Sequence, residues 1–349
     1  MVLCENLTDH GIIGLSNILG FSLKGLPTDG EGILPDALEA ACAAGGVRAL
    51  VLIPTLNNPT GHVSGPARRQ AIAAIAERYG IFVIEDEVYR PIIEEDLPSI
   101  TEMLPDLGFF VTSFTKAVLT GLRVGYLVVP PAYSIRAASI LRVSSWSGTY
   151  LTAEIATRWV ENGTALRLLD VQRAEARARQ KIAVDILGQH IASTHPLSFC
   201  AWLKVPTRWT EDGLVRALTN QNVAVTPSEP FIAGPGHGGG IRICLGGRLN
   251  HATLIKALTT VRQTFEQLPP VYESLNHYNI IIDMILLRSQ HDNHEERKPV
   301  HIRRKKPASG LAGRDRAGGR AACRTGGANP AGPLGQSVRT LWPSRSSEA

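Results

Sequence analysis

Three short, unbroken apolar runs constrain this chain more than any other feature: Ala49-Leu50-Val51-Leu52-Ile53, Ile81-Phe82-Val83-Ile84 and Phe109-Phe110-Val111. A run without polar alternation is a strand covered on both faces, the pattern of a mostly parallel sheet with helices above and below it. The segments around the runs agree. Pro35 to Cys42 opens on proline and an acid and closes on Gly45-Gly46, the two ends of a short helix. Pro66 to Tyr79 places Ile72, Ile75, Ala76 and Tyr79 on one helical face before Gly80 stops it. Residues 1 to 29 read as two short strands around a helix between Gly11 and Gly20, whose Ile12, Ile13, Leu15 and Ile18 suit packing on the sheet.

In such a sheet, ligands sit at the carboxyl ends of the strands. Ala49 to Ile53 runs into Asn57-Asn58-Pro59-Thr60-Gly61, so Asn58 lies where a ligand would be, although Asn-Pro is also an ordinary turn signal. Ile81 to Ile84 ends in Glu85-Asp86-Glu87-Val88-Tyr89. Three crowded acids repel one another, so any that is buried needs a cation; a solvated acidic turn has the same spacing. Phe109 to Val111 leads through Ser113-Phe114-Thr115-Lys116 and Gly121-Leu122-Arg123-Val124-Gly125 into Tyr126-Leu127-Val128-Val129. That places Lys116 on a loop between two strands that both read as buried. An ammonium there is costly unless it is paired or chemically used, which suits a Schiff-base lysine. Ser113 and Arg123 could grip a phosphate, with Gly121 and Gly125 letting the backbone approach. An exposed lysine beside a structural arginine is the other reading.

The second half alternates differently. Pro131 to Val143, Tyr150 to Val160 and the long Thr164 to Ile191 read as helices. Leu197 to Val205 alternates as a strand of a smaller sheet, followed by a helix from Thr210 to Asn220, strands at Val223 to Val225 and Ile241 to Cys244, and a helix from His251 to Gln267. Arg242 stands between Ile241 and Ile243 with its side chain opposite theirs, where it could clamp a carboxylate or simply meet water.

Taken together, Asn57-Asn58-Pro59-Thr60-Gly61, Glu85-Asp86-Glu87-Val88-Tyr89, Ser113-Phe114-Thr115-Lys116 with Gly121-Leu122-Arg123-Val124-Gly125, and Ile241-Arg242-Ile243 resemble, in order and spacing, the fold-type I pyridoxal-phosphate (PLP) aminotransferases of class I and II. The resemblance is closest to the aminotransferase-like domain of MocR-type regulators and runs over residues 1 to 268. It implies an α/β fold-type I architecture: a PLP-binding large domain over 1–165, and a bridging helix with a smaller α+β domain over 166–268. It further implies an amino group moved between an amino acid and a 2-oxo acid. In these roles Lys116 carries the Schiff base and moves a proton, Asp86 partners the pyridine nitrogen, and Asn58 and Tyr89 bond the phenolic oxygen. Ser113 and Arg123 hold phosphate, and Arg242, with Asn58, binds the substrate carboxylate. The family's ring-stacking aromatic position is Asp9 here, followed by His10, which could stack instead, and the part of the family domain before residue 1 is expected to be missing. A homodimer is implied. The alternatives are a PLP- or amino-acid-sensing effector domain without its DNA-binding part, or an inactive remnant. Which amino acid is the substrate is not legible.

Charge and cysteines bound the rest. The formal net charge is +5, but residues 301 to 349 hold ten Lys or Arg against Asp315 and Glu348, an excess of eight, which leaves residues 1 to 300 at 5 − 8 = −3. The globular part therefore has no nucleic-acid footprint. Residues 269 to 349 are expected to be a basic, disordered tail whose Arg303-Arg304-Lys305-Lys306 reads as a solvated charge run, at most a weak contact to nucleic acid. Cys4, Cys42, Cys200, Cys244 and Cys323 form no CxxC pair, so neither a zinc site nor a disulfide framework is indicated and a cytoplasmic setting is expected. No apolar run is long enough to span a membrane.

Overall fold

The computed structural model describes residues 1–234, 239–247 and 249–269. The basic tail expected from residue 269 onward lies, but for Pro269, outside the described residues.

The chain opens with β1 (Val2–Glu5), α1 (His10–Leu19) and β2 (Leu23–Leu26), a right-sized βαβ unit, then a small hairpin of β3 (Thr28–Asp29) and β4 (Gly32–Ile33). Next come α2 (Pro35–Ala43), β5 (Ala49–Leu52), α3 (Pro66–Tyr79), β6 (Phe82–Asp86) and β7 (Gly108–Ser113). The short α4 (Phe114–Ala117) and β8 (Gly125–Val128) follow. The large sheet has the order β2-β1-β5-β6-β7-β8, parallel except that β8 runs antiparallel to β7. The reversal has a simple cause: the link from Ser113 to Gly125 is too short to hold the crossover that a parallel return requires.

Leu3, Leu50, Leu52 and Val83 bury one side of the sheet against Leu38 of α2 and Ile72, Ile75 and Ala76 of α3. Fully burying side chains of this size contributes roughly 1.5–3 kcal/mol each. The expected helix over Pro66–Tyr79 is present with Gly80 left-handed at its end (φ 62°), but Tyr79 is exposed. Helix α1 departs further from expectation. Ile12 and Ile13 are only half-buried, Leu15 and Ile18 are exposed, and Ser16 is the residue it buries.

Beyond β8, α5 (Ser134–Ser145) buries no residue at all, while α6 (Tyr150–Glu161) buries Ala156. Helix α7 (Thr164–Leu187) then leads to β9 (Ile191–Ser193), β10 (Cys200–Lys204), α8 (Glu211–Asn220), β11 (Thr226–Pro227), β12 (Gly240–Cys244) and α9 (His251–Glu266). The small sheet has the order β11-β12-β10-β9, all antiparallel. Its second core joins Ala183 and Leu187 of α7, Leu203, Ile241 and Ile243 of the sheet, and Leu254, Leu258 and Phe265 of α9. Two expectations shift here. The long helix stops at Leu187 and Ile191 begins a strand, and the strand expected at Val223–Val225 forms at Thr226–Pro227 instead.

Among the described residues, no helix is long and apolar enough to cross a membrane.

Candidate active site

The carboxyl ends of β5, β6 and β7 deliver Asn58, Asp86 and Lys116 to one side of the large sheet, and β12 brings Arg242 to them. Arg242 donates from Nη1 to Asn58 Oδ1 at 2.8 Å and from Nη2 to Thr226 Oγ1 at 3.3 Å. Its guanidinium lies over the Phe231 ring, 4.8 Å from the centroid, and its buried Nε has no partner. The Lys116 ammonium stands 5.9 Å from the centroid of the Tyr89 ring. Residues distant in sequence thus form one cluster.

Asn58 follows a cis peptide-linked neighbour pattern, Asn58-Pro59, and is buried. Its Nδ2 donates to Asp9 Oδ2 at 2.6 Å, while Asp9 Oδ1 accepts from the Gly11 amide and so caps α1. Asp9, at the position where the resembling family stacks an aromatic ring, is instead a hydrogen-bonding anchor for Asn58. His10 is exposed and meets Phe231 edge-on.

The three acids at the end of β6, Glu85 and Asp86 on it and Glu87 just beyond, separate cleanly, because successive residues of extended chain face opposite ways. Glu85 and Glu87 turn from the site into the protein, where Arg69 of α3, also fully buried, meets them at 3.2 and 2.7 Å. Arg69 also donates to the carbonyls of Ser64 and Pro54 and to Thr55 Oγ1. Glu85 accepts four further hydrogen bonds, from Ser99 Oγ, the Ile100 and Thr101 amides and Thr101 Oγ1. On Glu87, Oε1 accepts from Arg69 and Oε2 has no hydrogen-bond partner, and burial pushes the carboxyl up to about 7. The cation demanded by crowded acids is therefore Arg69 for this pair, a residue the sequence reading missed. Its only signal was an arginine amid the apolar positions of α3.

Asp86 points the other way. Burial pushes its carboxyl up to about 6; the Val88 amide at 3.2 Å and the charge of Lys116 oppose the rise, and the charge of Asp9 adds to it. Half-buried and in no ion pair among the described residues, it is suited to hold a protonated ring nitrogen. Burial likewise raises the Tyr89 phenol above its usual range.

Lys116 corrects the sequence expectation. It lies in the four-residue α4, not on a loop, and is exposed. The strand after it, β8, expected to be buried, is an edge strand with Leu127 and Val128 exposed. Arg123 is also exposed, and its backbone is left-handed (φ 52°), as is that of Leu56 (φ 51°) beside Asn57. An arginine in that region costs on the order of 1 kcal/mol and marks a turn held for a purpose. Ser113, half-buried, pairs with Gly125 two residues beyond Arg123. Among the described residues no hydrogen bond or ion pair joins the Ser113 or Arg123 side chain to the Asn58–Arg242 cluster.

Comparison with known proteins decides the family. The sequence model of aminotransferase class I and II matches residues 24–261. The chain belongs to that family. Among relatives, this aminotransferase-family chain is 30% identical over 264 residues to the 2-aminoadipate transaminase of Thermus thermophilus, covering 72% of itself and 65% of that protein. It is 26% identical over 194 residues to an uncharacterized HTH-type transcriptional regulator of Bacillus subtilis, covering 53% of itself and 40% of the regulator. The chain thus spans about half the length of the regulators it matches. In fold it is similar to the α-aminoadipate aminotransferase LysN of Thermus thermophilus, solved with N-(5'-phosphopyridoxyl)-L-leucine: TM-score 0.69, 24% identity, 76% of this chain and 70% of that one.

The residues present suit the family's cofactor at its ring edge. Among the described residues, Asp86 is a half-buried carboxyl in no ion pair, Lys116 an accessible amine, and the Tyr89 hydroxyl has no hydrogen-bond partner.

Proposed function

We propose that this chain holds PLP at Lys116 and moves an amino group between an amino acid and a 2-oxo acid. The observation that carries the reading is the convergence of Asn58, Asp86, Tyr89, Lys116 and Arg242 from both sheets on one place. Bound PLP supplies a carbonyl that condenses with amines and a ring that accepts the electrons released when the substrate's α-proton leaves.

The chain's own groups do the rest. Asp86, as a carboxylate, keeps the proton on the ring nitrogen, so the ring stays electron-poor. With PLP bound, the Lys116 amine would be the group placed to take the proton from the substrate's α-carbon and return it elsewhere. Tyr89 and the second Nδ2 hydrogen of Asn58 are donors for the phenolic oxygen. Ser113 and Arg123 take the phosphate. Arg242 retains Nε and part of its Nη hydrogens for a carboxylate, while Asn58 and Thr226 fix its plane.

The reading divides the chain into a cofactor domain over 1–165 and a substrate-closing part over 166–268, and places it in the cytoplasm. It also takes the chain as a homodimer. The support is an exposed apolar surface on α5 and the start of α6, where Ile135 is 83%, Val143 90%, Trp146 83% and Tyr150 89% exposed. Monomers rarely leave that much contiguous apolar surface in water.

Addition of PLP to the purified protein, borohydride reduction and peptide mapping test the reading. A visible band with label on Lys116 is expected, with a spectral change on adding an amino acid that reverses with a 2-oxo acid. Lys116→Ala should lose the label and keep its fold. Label on Lys24, Lys181, Lys204 or Lys256, or no band, overturns it. A change that a 2-oxo acid never reverses would indicate sensing in place of transfer.

A further inference from the structure

Two cysteines face each other across the small sheet, next to Arg242. In the β10–β12 pair, Cys200 is in register with Cys244 and Trp202 with Arg242. Strand alternation puts these four side chains on one face, opposite the buried Ala201, Leu203, Ile241 and Ile243. The Leu245 amide donates to the Phe199 carbonyl at 2.8 Å, which makes 199/245 a hydrogen-bonded pair and Cys200/Cys244, the next rung, a non-hydrogen-bonded one. Cα atoms of such a pair stand about 4.5 Å apart with side chains at their closest, within the roughly 4.4–6.8 Å that a disulfide spans.

Both are free thiols, Cys200 half-buried and Cys244 exposed. Strand β11 pairs with β12 only at Ile241 and Arg242, so among the described residues that strand does not continue alongside Cys244. Cys200 Sγ rests 3.4 Å from the Pro59 carbonyl and Cys244 Sγ 3.6 Å from the Gly246 carbonyl. Closing a bond needs each sulfur to turn from its carbonyl toward the facing strand.

We propose that Cys200 and Cys244 are a site of reversible oxidative modification, closing to a cross-strand disulfide when the protein meets a hydroperoxide. Cys244, open to solvent, attacks the O–O bond as its thiolate; it becomes a sulfenic acid and the alcohol leaves. Cys200 then attacks the Cys244 sulfur, the S–S bond forms, and the hydroxyl departs as water. Two electrons pass from the thiols to the peroxide, whose two oxygens end as alcohol and water carrying the two thiol protons. The order follows from exposure, and burial raising the Cys200 thiol above its usual range agrees with it as the second partner.

Bond closure takes the Cys200 sulfur from Pro59, the neighbour of the Asn58 that orients Arg242. Oxidation thereby loosens the carboxylate grip. This consequence rests on the transamination reading; the disulfide itself does not.

The test is peroxide treatment of the whole protein, non-reducing digestion and mass spectrometry. A cross-link joining the Cys200 and Cys244 peptides is expected, reversed by dithiothreitol and absent from Cys244→Ser, with the buried Cys4 and Cys42 still thiols. A link from Cys244 to Cys323, or Cys244 carried to sulfinic acid with Cys200 untouched, overturns the site. Calorimetry with 2-oxoglutarate as probe on the PLP-loaded protein then reads the consequence. Oxidation is expected to weaken binding about fivefold, the loss of roughly one hydrogen bond, in wild type and not in Cys244→Ser. A disulfide formed with affinity unchanged overturns the coupling to Arg242 alone. Failure of the reduced protein to bind the probe, with the cross-link present, counts against the transamination reading and not against the modification site.

Discussion

The end of β6 and the β8–α5 side of the molecule, separated on one sheet by β7 alone, are opposites in construction. At β6, Glu85 and Arg69 are wholly buried, and Glu85 accepts a hydrogen bond from each of four surrounding donor groups besides the arginine. At β8 and α5, Leu127, Val128, Ile140 and Val143 stand in water, and Arg123 makes no ion pair among the described residues. The first region holds a charge in low dielectric by saturating it with donors; the second holds charges ready for something else to meet. The candidate site spans the boundary, with Asp86 on the first side and Lys116 and Arg123 on the second. A rigid acid beside accessible cations is what a phosphate-bearing, protonated ring requires.

Breaking the first region should have the largest effect. Arg69→Met leaves two buried carboxylates without their cation and is expected to cost about 3–5 kcal/mol, read as a lower urea midpoint at unchanged m-value. Glu87→Gln should cost far less, because burial raises that carboxyl to about 7 and part of it already carries a proton near neutrality. A loss as large as that of Arg69→Met would show that Glu87 holds its full charge against Arg69.

At the boundary, Arg242→Lys keeps the charge but cannot bond Asn58 and Thr226 while gripping a carboxylate in a plane. A loss of about 1.5–3 kcal/mol, roughly 10- to 100-fold in KM with the melting curve unmoved, is expected. An unchanged KM would remove Arg242 from substrate binding.

Next is the pH response. Burial pushes Glu5 up to about 7 from 4.5, against hydrogen bonds from the Ile53 amide at 2.7 Å and Thr8. The folded state therefore binds more protons than the unfolded one between about pH 4.5 and 7, and stability falls as pH rises through that window. Glu5→Gln keeps the acceptor for Ile53 and removes the charge. It should match wild type near pH 4.5 and exceed it at pH 8 by about 1–2 kcal/mol in denaturant titrations. His62, which burial holds down to about 4, contributes the opposite slope below 6.5 in both proteins. Parallel curves for variant and wild type would contradict the burial of Glu5.

The smallest effect on stability should come from the open region. Val143→Glu is expected to change the unfolding free energy by less than about 0.5 kcal/mol, yet shift sedimentation from dimer toward monomer. A dimer untouched by the substitution would move the interface away from α5.

Much of this molecule is legible in one dimension. Unbroken apolar runs announce buried parallel strands, and Gly, Pro and cap residues punctuate the helices, because those signals act over a few neighbouring residues. Asn58, Asp86, Lys116 and Arg242 could be named as candidates because each sits at a strand end or on a strand and matches the resembling family's motifs; their local patterns alone fit ordinary turns and surface positions as well. What a residue touches across the chain was not visible. Arg69 reads as an ordinary helix arginine until tertiary packing sets it under two glutamates 16 and 18 residues away. Asp9 reads as a turn residue until Asn58, 49 residues on, donates to it. The strand after Lys116 reads as buried until the sheet places it, as β8, at its edge. Local sequence determined which segments would be strands and helices and where the reactive side chains would hang. Only the folded chain decided which charges are neutralised, because burial and Coulomb pairing depend on distances between residues that sequence order leaves unset.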